Sequence, residues 1–409
     1  MKTMVGKGKY DIFSIIYMTN KVILGLALML ILIVPATSLP ALAQTSYTIT
    51  GAGSTFVFPL MDTWRVQYNK IHQNIQLNYQ SIGSGAGIKL LEQKSVDFAA
   101  SDAPLSAADQ QKAPGVLTFP DSIGGVTIAY NLPGIDTGLK LTGPVIAQIF
   151  MGNITSWNDP AIASLNPGAT LPSQNIVVAH RSDGSGTTYA FTDYLSKVSP
   201  DWMTKVGQGK SVPWPVGTGG QGNTGVATIV KTTPYSIGYV ELAYALQIKM
   251  TYAFVQNADG NSFVEPTLDS VAADAAAAST NLPAANADWS KVSIVNQPGS
   301  NSYPISTLTY IMIYQDMSTI NGETQDKSTE VVNFLTWILN DGQQYSSGLL
   351  YVPLPDSIKK IGMDALTSVT FTGGAVPEFG PIAALVLAIA IVSIIAVSTK
   401  TGLRFSPTL

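Results

Sequence analysis

Apolar positions along this chain follow two periods. Runs at residues 76–80, 126–130, 176–179 and 308–314 are short and rich in β-branched and aromatic residues, the signature of strands. Other stretches repeat every three to four residues. Residues 329–340 place Val331, Phe334, Leu335 and Ile338 on one helical face, and residues 60–71 and 188–196 read as helices as well. Strand-like and helix-like runs alternate, which predicts an α/β architecture. The alanine-rich stretch 271–278 is either helix or linker, because alanine alone has no face. The proline- and glycine-rich stretch 210–225 predicts a long surface loop.

The two ends follow neither period. Lys2, Lys7, Lys9 and Lys21 precede an unbroken apolar run over 22–34 that leads into Pro40-Ala41-Leu42-Ala43. A positive segment, roughly a dozen apolar residues and an A-x-A exit describe a secretory signal over residues 1–43. Met1 and Met18 both serve as possible starts. At the other end, Pro377-Glu378-Phe379-Gly380-Pro381 introduces an apolar run, followed by Lys400 and Arg404. That run, over 382–398, is near the lower limit of about 17 residues for a membrane helix. Basic residues after it suit a cytoplasmic flank. We read residues 371–381 as linker and sorting motif, 382–398 as a transmembrane or sorting helix, and 399–409 as a basic tail. These features resemble the C-terminal sorting tails of archaeal surface proteins.

Composition narrows the function. There is no cysteine, so neither disulfide nor thiolate metal site exists, and no metal or other cofactor is expected. The end segments carry six basic and two acidic residues, out of 22 and 26 in the whole chain, so the stretch between them is acidic. An acidic exported body argues against nucleic acid as a partner. Any anion must therefore be held by a local site against the global field. Asn153-Ile154-Thr155 is the single glycosylation sequon noted.

Four small-residue turns each follow a strand-like run and precede a helical one. They are Gly51-Ala52-Gly53-Ser54-Thr55-Phe56, Gly83-Ser84-Gly85-Ala86-Gly87, Ala100-Ser101-Asp102-Ala103 and Arg181-Ser182-Asp183-Gly184-Ser185-Gly186-Thr187. Strand, small-residue turn and helix together aim backbone N–H groups at an anion. One such turn is commonly just a helix cap; four, one bearing arginine, point to a shared oxyanion site. Competing motifs fail. Gly217-Thr218-Gly219-Gly220-Gln221-Gly222 matches G-x-G-x-x-G but has no preceding strand pattern. Gly209-Lys210-Ser211 lacks the upstream glycine of a P-loop, and Ser185 has Asp183 where a nucleophile elbow needs glycine. His72 and His180 are the only histidines, which leaves little for a Ser-His-Asp triad.

These turns, with Asp97-Phe98-Ala99-Ala100-Ser101-Asp102-Ala103-Pro104-Leu105 and Ile237-Gly238-Tyr239-Val240-Glu241, resemble the periplasmic phosphate-binding subunit of phosphate ABC transporters. The likeness covers about residues 47 to 365. It implies a two-lobed periplasmic-binding-protein-like fold of type II with crossing hinge strands. Lobe I would comprise 46–128 and 303–370, and lobe II 129–302. It also implies an exported monomer that binds inorganic phosphate for an ABC permease and is not an enzyme; the C-terminal segment, which the likeness does not cover, would tether it on the outer face of the membrane, a departure from the family. The alternatives are a surface phosphatase or a phosphate sensor with the same cage. On matching positions, Thr55, Phe56, Ser84, Asp102, Arg181, Ser185, Gly186 and Thr187 would bind phosphate, with Ser54 and Asp183 in support. Asp102 would accept a hydrogen bond from a phosphate proton and Arg181 would be the sole cationic ligand. Gly85 stands where the family often has a serine, which removes one donor.

Overall fold

The computed structural model describes residues 45–278 and 282–373. Strands are β1 Tyr47–Gly53, β2 Ile75–Ser81, β3 Phe98–Ser101, β4 Val116–Asn131, β5 Lys140–Leu141 and β6 Val177–Arg181. They continue with β7 Thr218–Gly220, β8 Ser236–Glu241, β9 Thr251–Tyr252, β10 Phe254–Gln256, β11 Phe263–Val264 and β12 Ser306–Tyr314. The main sheet runs β2-β1-β3-β12-β4-β8-β6-β7, with β9 paired to β4, and β11-β10-β5 form a small separate sheet.

Two parallel groups sit at the ends of this order. In the first, β1 pairs with both β2 and β3, and helices Phe58–Ile71 and Ser84–Glu92 make the crossovers. In the second, β6 pairs with β7 and β8, and helices Gly186–Val198 and Gly222–Thr232 cross between them. Parallel strands need such helical returns, which is why strand-like and helix-like runs alternate along the chain. β4 and β12 join the groups. β12 pairs with β3 through Tyr310, Ile311 and Met312 and with β4 from Val116 to Gly125. From Val126 to Asn131, β4 pairs with β8 instead. The result is a two-lobed α/β fold with crossing strands.

β4 is longer than its 126–130 segment suggested. Pro120, Asp121 and the pair Gly124-Gly125 read as strand breakers, yet all lie within the strand. The register shifts where Thr309 faces Ser122 and Tyr310 faces Pro120, leaving Asp121 as the extra residue of a bulge. Gly124 is required by close packing: a Cβ there would meet the Phe56 ring at 2.5 Å. The predicted loop over 210–225 also differs, because it contains β7 and the start of helix Gly222–Thr232. Gly220 and Gly225 approach so closely that a Cβ on Gly220 would lie 2.6 Å from the Gly225 carbonyl carbon. Glycine here marks helix–strand contact rather than a free loop.

The alanine-rich stretch belongs to helix Leu268–Ala278, with Val271 and Ala275 buried. Helix Gln325–Leu339 buries Val331, Phe334, Leu335 and Ile338, the face the periodicity picked out. Among the described residues no helix is long and apolar enough to cross a membrane. The expected signal over 1–43 and the apolar run over 382–398 lie outside the described residues.

Candidate functional site

The four small-residue turns end strands β1, β2, β3 and β6, so their backbones converge at the carboxyl ends of the two parallel groups, the usual ligand position in open α/β sheets. From the first group come Ser54, Thr55, Ser84 and Asp102, all buried. Ser54 Oγ donates to Asp102 Oδ1 and accepts from the N–H groups of Phe56 at 3.0 Å and Val57 at 3.2 Å. It therefore ties the start of helix Phe58–Ile71 to the carboxylate. Ser84 opens its own helix after Gly83, whose φ of +94° favours glycine, and its Oγ accepts from Asp102 N at 3.2 Å. The predicted Phe56 N–H is thus engaged by Ser54, while the Phe56 ring packs edge-on against Tyr351 with centroids 6.2 Å apart.

The second group supplies the cation. Arg181 ends β6 and is only 3% exposed. Its Nε and Nη2 donate to both oxygens of Asp183 at 2.8 and 2.6 Å, a two-pronged contact that holds the guanidinium plane, and Nη1 donates to Thr187 Oγ1 at 3.2 Å. Asp183 also accepts from Gly222 N at 3.0 Å. Burial disfavours its charge, but the Arg181 guanidinium holds its carboxyl below the ordinary range. Ser185 caps helix Gly186–Val198 by accepting from Thr188 N at 3.0 Å, which leaves its own hydrogen to give.

The groups meet directly. A Cβ on Gly186 would lie 2.5 Å from Asp102 Oδ2, so the carboxylate rests on the N-terminus of the opposing helix and no larger residue fits. Gly85 N donates to Gly184 O at 2.8 Å, and a Cβ on Gly85 would stand 3.1 Å from Gly184 Cα. The departure at Gly85 thereby has a physical reason: two glycines let the edges of the cleft close tightly. Beside the gap, Thr55, Gly222 and Tyr244 line an open cavity of about 300 Å³. Burial pushes the Asp102 carboxyl up to about 7, against the opposing pull of the Ser54 hydroxyl and the Arg181 charge.

All ten predicted residues lie in this constellation, although Phe56 contributes packing and an engaged N–H. One member escaped the sequence reading. Asn223 is fully buried, and its Nδ2 donates to Thr55 Oγ1 at 3.1 Å and Thr187 Oγ1 at 3.2 Å. The only signal was the dismissed G-x-G-x-x-G string just before it, whose last glycine has φ +67° and opens the helix. The other rejected motifs fall into place. Lys210 forms an ion pair with Asp109 at 2.5 Å. His180 stacks on Trp214 with centroids 4.8 Å apart, and His72 on Tyr68 at 4.2 Å, so neither faces the gap as a base.

Comparison with known proteins places this arrangement in a family. The PBP superfamily domain matches residues 39–341. The phosphate-binding protein PstS of Xylella fastidiosa is 46% identical over 332 residues, which is 80% of this chain and 86% of that protein. The phosphate-binding protein PstS of Methanocaldococcus jannaschii is 36% identical over 385 residues, 85% of this chain and 96% of that one. A solved phosphate-binding protein of Stenotrophomonas maltophilia has the same fold at a TM-score of 0.57 and 19% identity, over 77% of this chain and 92% of its own. At these identities, sustained over most of both sequences, the chain belongs to the phosphate-binding protein PstS family.

Proposed function

We propose that this protein captures inorganic phosphate outside the cell and delivers it to an ABC permease. The observation that carries the reading is the buried meeting of Arg181, the hydroxyls of Thr55, Ser84, Ser185 and Thr187, and the carboxylate of Asp102 at the starts of opposing helices. A buried anion is tolerated only when its oxygens are fully hydrogen-bonded, and charge-assisted bonds from arginine, hydroxyls and helix N-termini serve that end. Asp102 selects the anion. Phosphate retains a proton with which it donates a hydrogen bond to the carboxylate, whereas sulfate would present acceptor to acceptor, at a cost of about 1–3 kcal/mol or more.

Residues 46–128 with 303–370 form one lobe in this reading and 129–302 the other, hinged where β4 and β12 cross. Phosphate stabilises closure through its contacts with both lobes. The signal over 1–43 directs export, and the apolar run over 382–398 anchors a monomer to the membrane surface. Both histidines are stacked on aromatic rings away from the gap, which favours binding over phosphate-ester hydrolysis. Calorimetric titration of the purified protein with phosphate, sulfate and arsenate near pH 8, where Asp102 is ionised, tests the reading. One-to-one phosphate binding with sulfate silent is expected. Equal response to phosphate and sulfate, or to neither, would overturn it.

A further inference from the structure

The glycine string 217–222 matches a dinucleotide fingerprint, but what it delivers here is Asn223. Gly222 takes a left-handed φ of +67° after β7, and helix Gly222–Thr232 then starts with Asn223 completely buried. The orientation of its amide follows from chemistry. Glu241 N, which can only donate, lies 3.0 Å from Asn223 Oδ1, so the NH₂ end points the other way. Its two hydrogens go to Thr55 Oγ1 at 3.1 Å and Thr187 Oγ1 at 3.2 Å.

Both threonine oxygens are then filled as acceptors. Thr55 Oγ1 also accepts from the Asn223 backbone N–H at 3.2 Å, and Thr187 Oγ1 also accepts from Arg181 Nη1 at 3.2 Å. A hydroxyl has two lone pairs and one hydrogen. All four partners are N–H groups that cannot reverse roles, so each hydroxyl has only its hydrogen left to use. Resting on the phosphate reading above, we propose that Asn223 is a positioning residue that turns Thr55 and Thr187 into obligate hydrogen-bond donors toward the oxyanion. Thr55 comes from the first strand group and Asn223 and Thr187 from the second. The polarity of Thr55 is therefore set only when the two come together, which couples closure to anion recognition.

The role differs from simple packing and can be separated from it. Phosphate titrations would compare the parent protein, Asn223→Asp, Asn223→Ala, the double variant Thr55→Val/Thr187→Val, and each Asn223 change in that double background. Asn223→Asp, equal in size, presents an oxygen that takes both hydroxyl hydrogens, and should weaken phosphate at least about 100-fold. Asn223→Ala frees the hydroxyls to rotate and should cost about 10-fold. In the valine background, where no hydroxyl remains to orient, Asn223→Ala should cost almost nothing further. An equal penalty in both backgrounds would assign Asn223 a structural role and overturn the proposal. Should Asn223→Ala fail to fold, Asn223→Asp carries the test, and binding within about threefold of the parent would overturn it. Absence of phosphate binding by the parent protein would instead overturn the functional reading itself.

Discussion

At the scale of single residues, the proposed selectivity reduces to whether one carboxyl carries a proton. Asp102 accepts from Ser54 on one oxygen and turns the other toward Gly186. Ionised, it offers no hydrogen to a fully deprotonated anion. Protonated, it does. Burial raises its pKa to about 7, so sulfate should compete better as pH falls through that value. Asp102→Asn supplies a permanent donor and should admit sulfate equally on both sides of that pH. Competition titrations near pH 5 and pH 8 read both effects, and a variant as selective as the parent would remove Asp102 from the discriminating role. The sequence pointed to Asp102 only through the family resemblance, since a single small-residue turn between strand and helix is more often just a helix cap. Asn223 was not legible at all, since its two threonine partners lie 168 and 36 positions away along the chain.

At the scale of elements, an ion pair links the helix after β3 to the stretch before β7. Asp109 caps helix Ala107–Lys112 through Ser106, and its carboxylate also receives Lys210 from the stretch before β7. Burial raises its pKa, but the Lys210 ammonium outweighs this and holds the carboxyl below its usual range. Both side chains are largely screened from solvent, so the pair is stronger than an open surface bridge yet still sensitive to salt. Lys210→Met should weaken phosphate binding about two- to fivefold at low ionic strength, with the difference shrinking in high salt. Titrations at two salt concentrations check it, and a salt-independent loss would mean that Lys210 acts through packing. Element identity was largely readable from periodicity, as with helix Gln325–Leu339. It failed where glycine and proline served close packing, at Gly124 and Gly220, and where a bulge absorbed Asp121.

At the scale of the molecule, buried acids give stability an unusual pH dependence. Burial lifts Asp102 and Asp121 to about 7 and Glu241 and Asp274 to about 8. Unfolded, such groups titrate near 4. Between those limits the folded chain holds more protons than the unfolded one, so the free energy of unfolding falls as pH rises. Ligand-free protein should therefore melt at a higher temperature near pH 5 than near pH 9. Calorimetric melts across that range test it, and a melting temperature that rises with pH would show that these carboxyls are ionised in the fold.

The amino-acid order alone determined the alternation of strand and helix and the small-residue turns at helix starts. Each of these is a local matter of period, small residues and hydrogen-bonding capacity. Tertiary structure alone decided that β4 carries the chain from one strand group to the other. It also decided that Gly85 meets Gly184 and that Asn223 joins Thr55 to Thr187. Those features depend on contacts between segments far apart along the chain, and no local pattern encodes which distant partner a glycine or an amide will meet.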